Sequence, residues 1–285
     1  MFAASSMIKS NLKSAVVNIL KYAVLIFFGI TTVYPMLWVF INSFKDNDDI
    51  FSHPFSLPSV WKFENYVQAW DKAHLNTYLI NSIIVSTGTI VLTLVVCSMA
   101  AFILARIRFK MNFAIYSYFL FGMMMPAIAA LVPLFILYKN IGMLNSFVSM
   151  TTIYTSFGIA ICIFILTGFM KTIPVELEES AVIDGCSPLQ VFLNIILPIS
   201  KAALVTAAII GYLDAWNEYL FALVFLTKMD MKTLTLGLAS FKTQHFTFYG
   251  LMSAGIFISI IPVIIIYVFL QEKVIKGLTA GALKG

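Results

Sequence analysis

Charge is scarce in this sequence. Its 285 residues carry 13 acidic and 18 basic side chains, 11% in all, against 61% hydrophobic residues and a mean hydropathy of +0.96. Such a chain has too little polar surface to enclose its apolar side chains in a soluble core, so it belongs in a bilayer. Histidine and cysteine are equally sparse, at three each. His53, His74 and His245 stand singly in predicted outer loops, without the convergent partners a metal site needs. Cys97 and Cys162 fall inside apolar runs and Cys186 in a loop, so neither a disulfide nor a metal framework is implied. Glycine never precedes lysine. The pair occurs only reversed, as in Lys276-Gly277 and Lys284-Gly285, so the chain has no phosphate-binding loop, and any nucleotide that drives it binds elsewhere. A membrane enzyme would want a catalytic histidine or a metal cluster within its apolar runs, and none is there.

What is present is a series of long apolar runs, each near the roughly 20 residues that a spanning helix requires. Six are predicted, at 16–44, 77–105, 113–138, 147–169, 202–226 and 250–270. The first follows Lys9 and Lys13 but is too long for a signal-peptide core and reads as a retained anchor. The expected organisation is therefore a short segment 1–15, an all-α integral membrane domain of six transmembrane helices over 16–270, and a tail 271–285. With the amino end inside, inner loops hold most of the basic residues, most clearly Arg106, Arg108 and Lys110, which places both termini in the cytoplasm. Because the basic residues are scattered over short loops, the net charge of +5 calls for no nucleic acid.

Three stretches interrupt this pattern. The first outer loop, SHPFSLPSVWKFENYVQAW, is rich in aromatic residues and proline, as suits either an interfacial belt or a surface that docks a partner. Pro126 and Pro133 fall inside the third run, where each removes a helical hydrogen bond and predicts a kink or break. In the fifth run Asp214 and Glu218 lie one helical turn apart on a face shared with Ala207, Gly211 and Ala222. A carboxylate at the bilayer centre costs about 2.5–3.5 kcal/mol on insertion scales, so these two are expected to face a partner helix or a wet pathway. Trp216, Asn217 and Tyr219 share that neighbourhood.

The segment IPVELEESAVIDGCSPLQVFLNIILP is the most informative. Pro174 precedes three acids, Glu176, Glu178 and Glu179, which suit the positive end of a helix. Asp184-Gly185 signals a turn, and Ser187 with Gln190 forms a capping box with Pro188 at the first helical position. A helix, a glycine turn and a second helix are predicted on the inner side, too short and too polar to cross. Amphipathic helices that rest passively on lipid carry basic polar faces. This one is acidic, which favours a protein partner.

The same segment resembles the cytoplasmic EAA motif of ATP-binding cassette importer permeases: E-A-A, three residues, G, nine residues, I-x-L-P. Glu179, Ala181, Gly185, Ile195, Leu197 and Pro198 fall at its spacing, with Ser180 in place of the middle alanine. FENYVQAW, LVPLFILYKNIGMLNSF, AWNEYLFALVF and KGLTAGALKG are similar to the carbohydrate branch of these permeases, in particular the smaller permease subunit of the maltose type.

The resemblance implies that 171–200 forms a coupling helix seated in a cleft of a separate ATPase subunit, with Glu178, Glu179, Ser180, Ala181, Asp184, Gly185, Ser187 and Pro188 shaping the contact. It implies that Lys276, Gly277, Thr279 and Gly281 of the tail reach the ATPase dimer. The expected protein is a permease subunit of a sugar importer in a bacterial inner membrane. Its implied partners are a second permease subunit, two cassette subunits that hold ATP and Mg, and an extracytoplasmic sugar-binding protein, with no cofactor on this chain. Amino acids or peptides are the alternative cargo. An ion-coupled secondary transporter is the alternative class, disfavoured because it predicts paired broken helices and only one run is proline-broken.

Overall fold

A computed structural model describes the backbone of residues 2–242 and 246–282, with side chains over 17–242 and 246–269. His245 lies outside the described residues. In chain order the helices are α1 (Phe2–Asn42), α2 (Asn47–Ser52), α3 (Glu64–Val67), α4 (Leu75–Arg106), α5 (Asn112–Gly122), α6 (Leu131–Asn140) and α7 (Phe147–Met170). They continue as α8 (Glu176–Ile183), α9 (Pro188–Val191), α10 (Leu197–Ile199), α11 (Lys201–Asn217), α12 (Leu220–Phe225), α13 (Leu234–Ala239) and α14 (Tyr249–Ala282). No strand occurs among the described residues, where the only β pairing is an isolated bridge between Lys242 and Thr247. Among the described residues four helices are long and apolar enough to span a bilayer, and six spans result if each of two sharply bent helix pairs counts as one. The all-α membrane fold expected from the apolar runs is what the structure has.

The chain divides into two compact units. One comprises residues 1–72 and 241–258. Within it, α1 is exposed from Val17 to Leu37, an apolar surface that suits lipid or another protein. At its end the first outer loop is folded. Phe44 packs against Trp61, Phe63 and Tyr66 at 5.2 Å each, and Lys45, fully buried, donates to the carbonyl of His53 at 2.7 Å. Asn65 Nδ2 donates to the carbonyls of Ser43 and Lys45. Asn47 donates to Thr247 O and accepts from Tyr249 N, which ties α2 to the start of α14. Phe51, Phe55 and Leu57 remain exposed.

The other unit holds residues 73–240 and 259–285. Its centre is the pair α4 and α7. On α4 the buried positions Ser82, Ser86, Thr89, Thr93, Cys97 and Ala101 recur every three or four residues, a stripe of small side chains that lets another helix approach closely. Hydroxyls bridge the pair, with Thr93 Oγ1 donating to Thr155 Oγ1 at 3.3 Å. Lower down, Phe102 and Leu104 of α4 and Leu166 and Met170 of α7 form one core with Phe192 and Ile196.

Two spans are broken. The third is interrupted at Pro126, whose extended backbone ends α5 ahead of a 3-10 turn over Ala127–Ala130, and the two halves meet at 94°. This break was expected. Pro133 sits in the first turn of α6, where its missing N–H has no helical partner to lose. The fifth run is the surprise: it is not one helix, because Glu218 leaves the helical region (ψ 134°) and α12 starts afresh at Leu220. No proline announces this second interruption. A further bend of 74° at Ser200 separates the 188–199 segment from α11.

Candidate functional site

The loop between α7 and α11 is built as its residues dictate. Glu176, Glu178 and Glu179 occupy the first turn of α8. At its other end Gly185 takes φ +85°, its N–H donates to Val182 O, and the N–H of Cys186 donates to Ala181 O. These paired bonds satisfy carbonyls that a helix end leaves open, and the positive φ is why a glycine stands there. The capping box at α9 is formed from both sides: Ser187 N donates to Gln190 Oε1 at 2.7 Å, and Gln190 N to Ser187 Oγ at 3.4 Å. A π-type turn over Phe192–Ile196 follows, and Pro198 lies within α10.

The loop has two faces. Ala181, Val191, Phe192 and Ile196 are buried in the core with α4 and α7. Leu177, Val182, Ile183, Leu189 and Leu193 are exposed, Ile183 at 85%. Glu179, Ser180, Asp184, Gly185, Ser187 and Pro188 lie on the exposed side as well. Glu178 turns inward instead, its Oε1 lying 2.6 Å from Arg106 Nε at the end of α4. The guanidinium, 8% exposed, also donates to Ile173 O at 2.8 Å. In the sequence Arg106 reads only as a topology charge, because nothing in a linear pattern joins it to residues 67 and 72 positions away.

A second feature lies where α4, α7 and α11 diverge. A cavity of about 300 Å³ is lined by Thr89, Thr93, Tyr154, Gly158, Asp214 and Glu218, among others. Asp214 and Glu218 do reach the same cavity, but not as like neighbours on one continuous helix. Glu218 is spent locally: its Oε1 accepts from Phe221 N at 2.8 Å, and its Oε2 from Ala222 N at 3.1 Å and from Tyr154 Oη. It thereby caps α12 and holds it to α7. Asp214 stands exposed with no hydrogen bond among the described residues. Trp216 is buried and stacked on Tyr212 at 5.7 Å, while Asn217 and Tyr219 are exposed. Tyr154 escaped the sequence reading, since a lone tyrosine in an apolar run carries no signal. No group of three or more His, Cys, Asp or Glu able to hold a metal occurs among the described residues. Lys276, Gly277, Thr279 and Gly281 fall in the final turns of α14, where side chains are outside those described.

The loop is thus anchored inward and apolar outward, and a cavity of mixed polar and apolar lining lies among the packed helices. Residues 97–279 match the family described as the binding-protein-dependent transport system inner membrane component. The chain belongs to that family. Among curated relatives, this inner membrane component is 36% identical to the probable ABC transporter permease protein YurM of Bacillus subtilis, over 90% of this chain and 85% of that one. It is also 36% identical to the diacetylchitobiose uptake system permease protein DasC of Streptomyces coelicolor, over 92% of this chain and 95% of the relative. Of solved structures, a chain of a bacterial ABC transporter involved in the import of the acidic polysaccharide alginate superposes with a TM-score of 0.79. At 22% identity, and covering 90% of this chain and 96% of the other, that likeness concerns the fold. The family match covers the loop of 171–200 and the cavity residues from Ala127 to Phe221, whereas Thr89, Ile90 and Thr93 precede it.

Proposed function

We propose that this chain is a transmembrane permease subunit of an ABC-type sugar importer, forming half of the translocation pathway and coupling it to a separate ATPase. The observation that carries the reading is the outward face of the 171–200 loop. Exposed apolar side chains, Leu177, Val182, Ile183, Leu189 and Leu193 among them, stand beside Glu179 and Asp184 on a segment whose other face is rooted in the core. Exposed apolar clusters rimmed by charge mark interaction surfaces. A lever fixed in the bundle on one side and seated in a partner on the other converts closure of ATPase subunits into rearrangement of the spans.

The partners in this reading are a second permease subunit, two cassette subunits that bind ATP and Mg, and an extracytoplasmic sugar-binding protein. Both termini face the cytoplasm of a bacterial cell, and the last turns of α14 extend toward the ATPase dimer. The permease domain in this reading is 16–270, between a segment 1–15 and a tail 271–285. The cavity is part of the pathway or of its boundary with the second permease, with Asp214 and Glu218 in its lining and Trp216, Asn217 and Tyr219 adjacent in the chain but outside that lining. The diacetylchitobiose uptake named for one relative supports a saccharide as cargo.

The test is to purify the tagged chain in mild detergent and identify its companions by mass spectrometry. A second multi-span permease and a phosphate-loop ATPase are expected. Recovery of the chain alone, transporting in liposomes without ATP, would overturn the reading.

A further inference from the structure

We infer that Arg106 and Glu178 form the strut that carries motion between α4 and the coupling loop, which makes Arg106 a positioning residue for transport. This inference rests on the ATPase-coupling reading of that loop.

One guanidinium reaches two points of the loop: the carbonyl of Ile173, where the chain leaves α7, and the carboxylate of Glu178, in the first turn of α8. The Ile173 contact is a hydrogen bond and the Glu178 contact a close charge pair whose N–H is not aligned on the oxygen, so one rigid, always-charged guanidinium engages both points. Arg106 is the last residue of α4, the helix that packs against α7 and α11 and lines the cavity with Thr89 and Thr93. One turn earlier, Phe102 packs on Phe192 of the same loop, with ring centres 5.2 Å apart. Glu178 is the only half-buried acid of α8; Glu176 and Glu179 face out. The acids of the loop therefore divide their work. The outer ones are left for a partner, and Glu178 holds α8 to a span that walls the cavity. Apolar contact at Phe102 permits sliding, whereas a buried charge pair and a hydrogen bond at Arg106 fix position along the helix.

The experiment uses the complex purified with its ATPase subunits, so the transported sugar need not be known. An Ala127→Cys reporter at the cavity, in a Cys97→Ala, Cys162→Ala, Cys186→Ser background, is labelled with a membrane-impermeant maleimide before and after trapping with ATP plus vanadate. With the native pair, trapping is expected to change the labelling rate by about tenfold, a typical size for coupling between sites. Arg106→Gln and Glu178→Gln should each reduce that change to under about twofold while ATP hydrolysis continues, and the double variant should be no worse than either, as for groups that act as a unit. Should the single variants fail to assemble, Arg106→Met with Glu178→Leu, which leaves no unpaired buried charge, decides the matter: a lost response supports the strut. A native-sized response in any assembled variant overturns it. If no ATPase subunit accompanies the native chain, the coupling reading fails and the strut with it. If the native complex responds and the variants respond equally, only the strut fails.

Discussion

The phenol of Tyr154 donates to Glu218 Oε2 at 2.5 Å, joining the middle of α7 to the break in the fifth span. The same carboxylate accepts the backbone N–H groups of Phe221 and Ala222, so one side chain starts α12 and fixes it to α7. Losing the phenol leaves the two backbone bonds in place. Tyr154→Phe is therefore expected to cost about 1.5–3 kcal/mol, the net worth of one hydrogen bond to a charged group. Glu218→Ala removes the cap as well and should cost at least about 1–2 kcal/mol more. Thermal unfolding of the purified protein in detergent checks both, and equal shifts would mean that the carboxylate does not cap α12.

Asp214 behaves differently because nothing in the described structure holds it. Asp214→Asn is expected to leave thermal stability within about 0.5 kcal/mol, as for a side chain without fixed partners. On the pathway reading it lowers uptake by the reconstituted importer. Unchanged uptake and assembly, in Asp214→Asn and in its combination with Glu218→Gln, would remove the acid pair from the pathway.

At Gly185 the constraint is the sign of φ and not space: a Cβ built there meets nothing within 4 Å. Asparagine, which tolerates this region, should keep most transport activity, whereas Gly185→Val should lose it, with a cost of about 1–2 kcal/mol for the left-handed backbone. Gly185→Asp is expected to impair uptake while the chain still reaches the membrane. Uptake set against membrane content measures this, and a valine variant with native transport would show that the turn is dispensable.

The first outer loop should respond to acid. Ser59 N donates to Asp49 Oδ2 at 3.0 Å, and that bond, aided by the nearby Lys45, holds the Asp49 carboxyl below its ordinary value of 3.8. A carboxylate whose pKa is depressed on folding stabilises the folded loop above the ordinary value, and the contribution disappears as pH falls through the lowered one. Hydrogen exchange at Ser59 should accelerate below about pH 4 relative to the intrinsic rate, and Asp49→Asn should remove that pH dependence.

Much of this protein is legible in one dimension. The bilayer, the number of apolar runs and the broken third span follow from composition, run length and the chemistry of proline. The helix–turn–helix of 171–200 follows from Pro174, Gly185 and the Ser187–Gln190 box, because caps and turns depend on neighbours within a few residues. What the sequence could not supply is pairing at a distance. Glu218 looks like a second charge on a continuous helix until Tyr154, 64 residues earlier, and the free N–H groups of α12 are brought to it. Arg106 looks like one of several topology charges until the fold sets it against Glu178 and Ile173. A buried polar group takes its role from whatever satisfies it, and only the packed helices determine which groups those are.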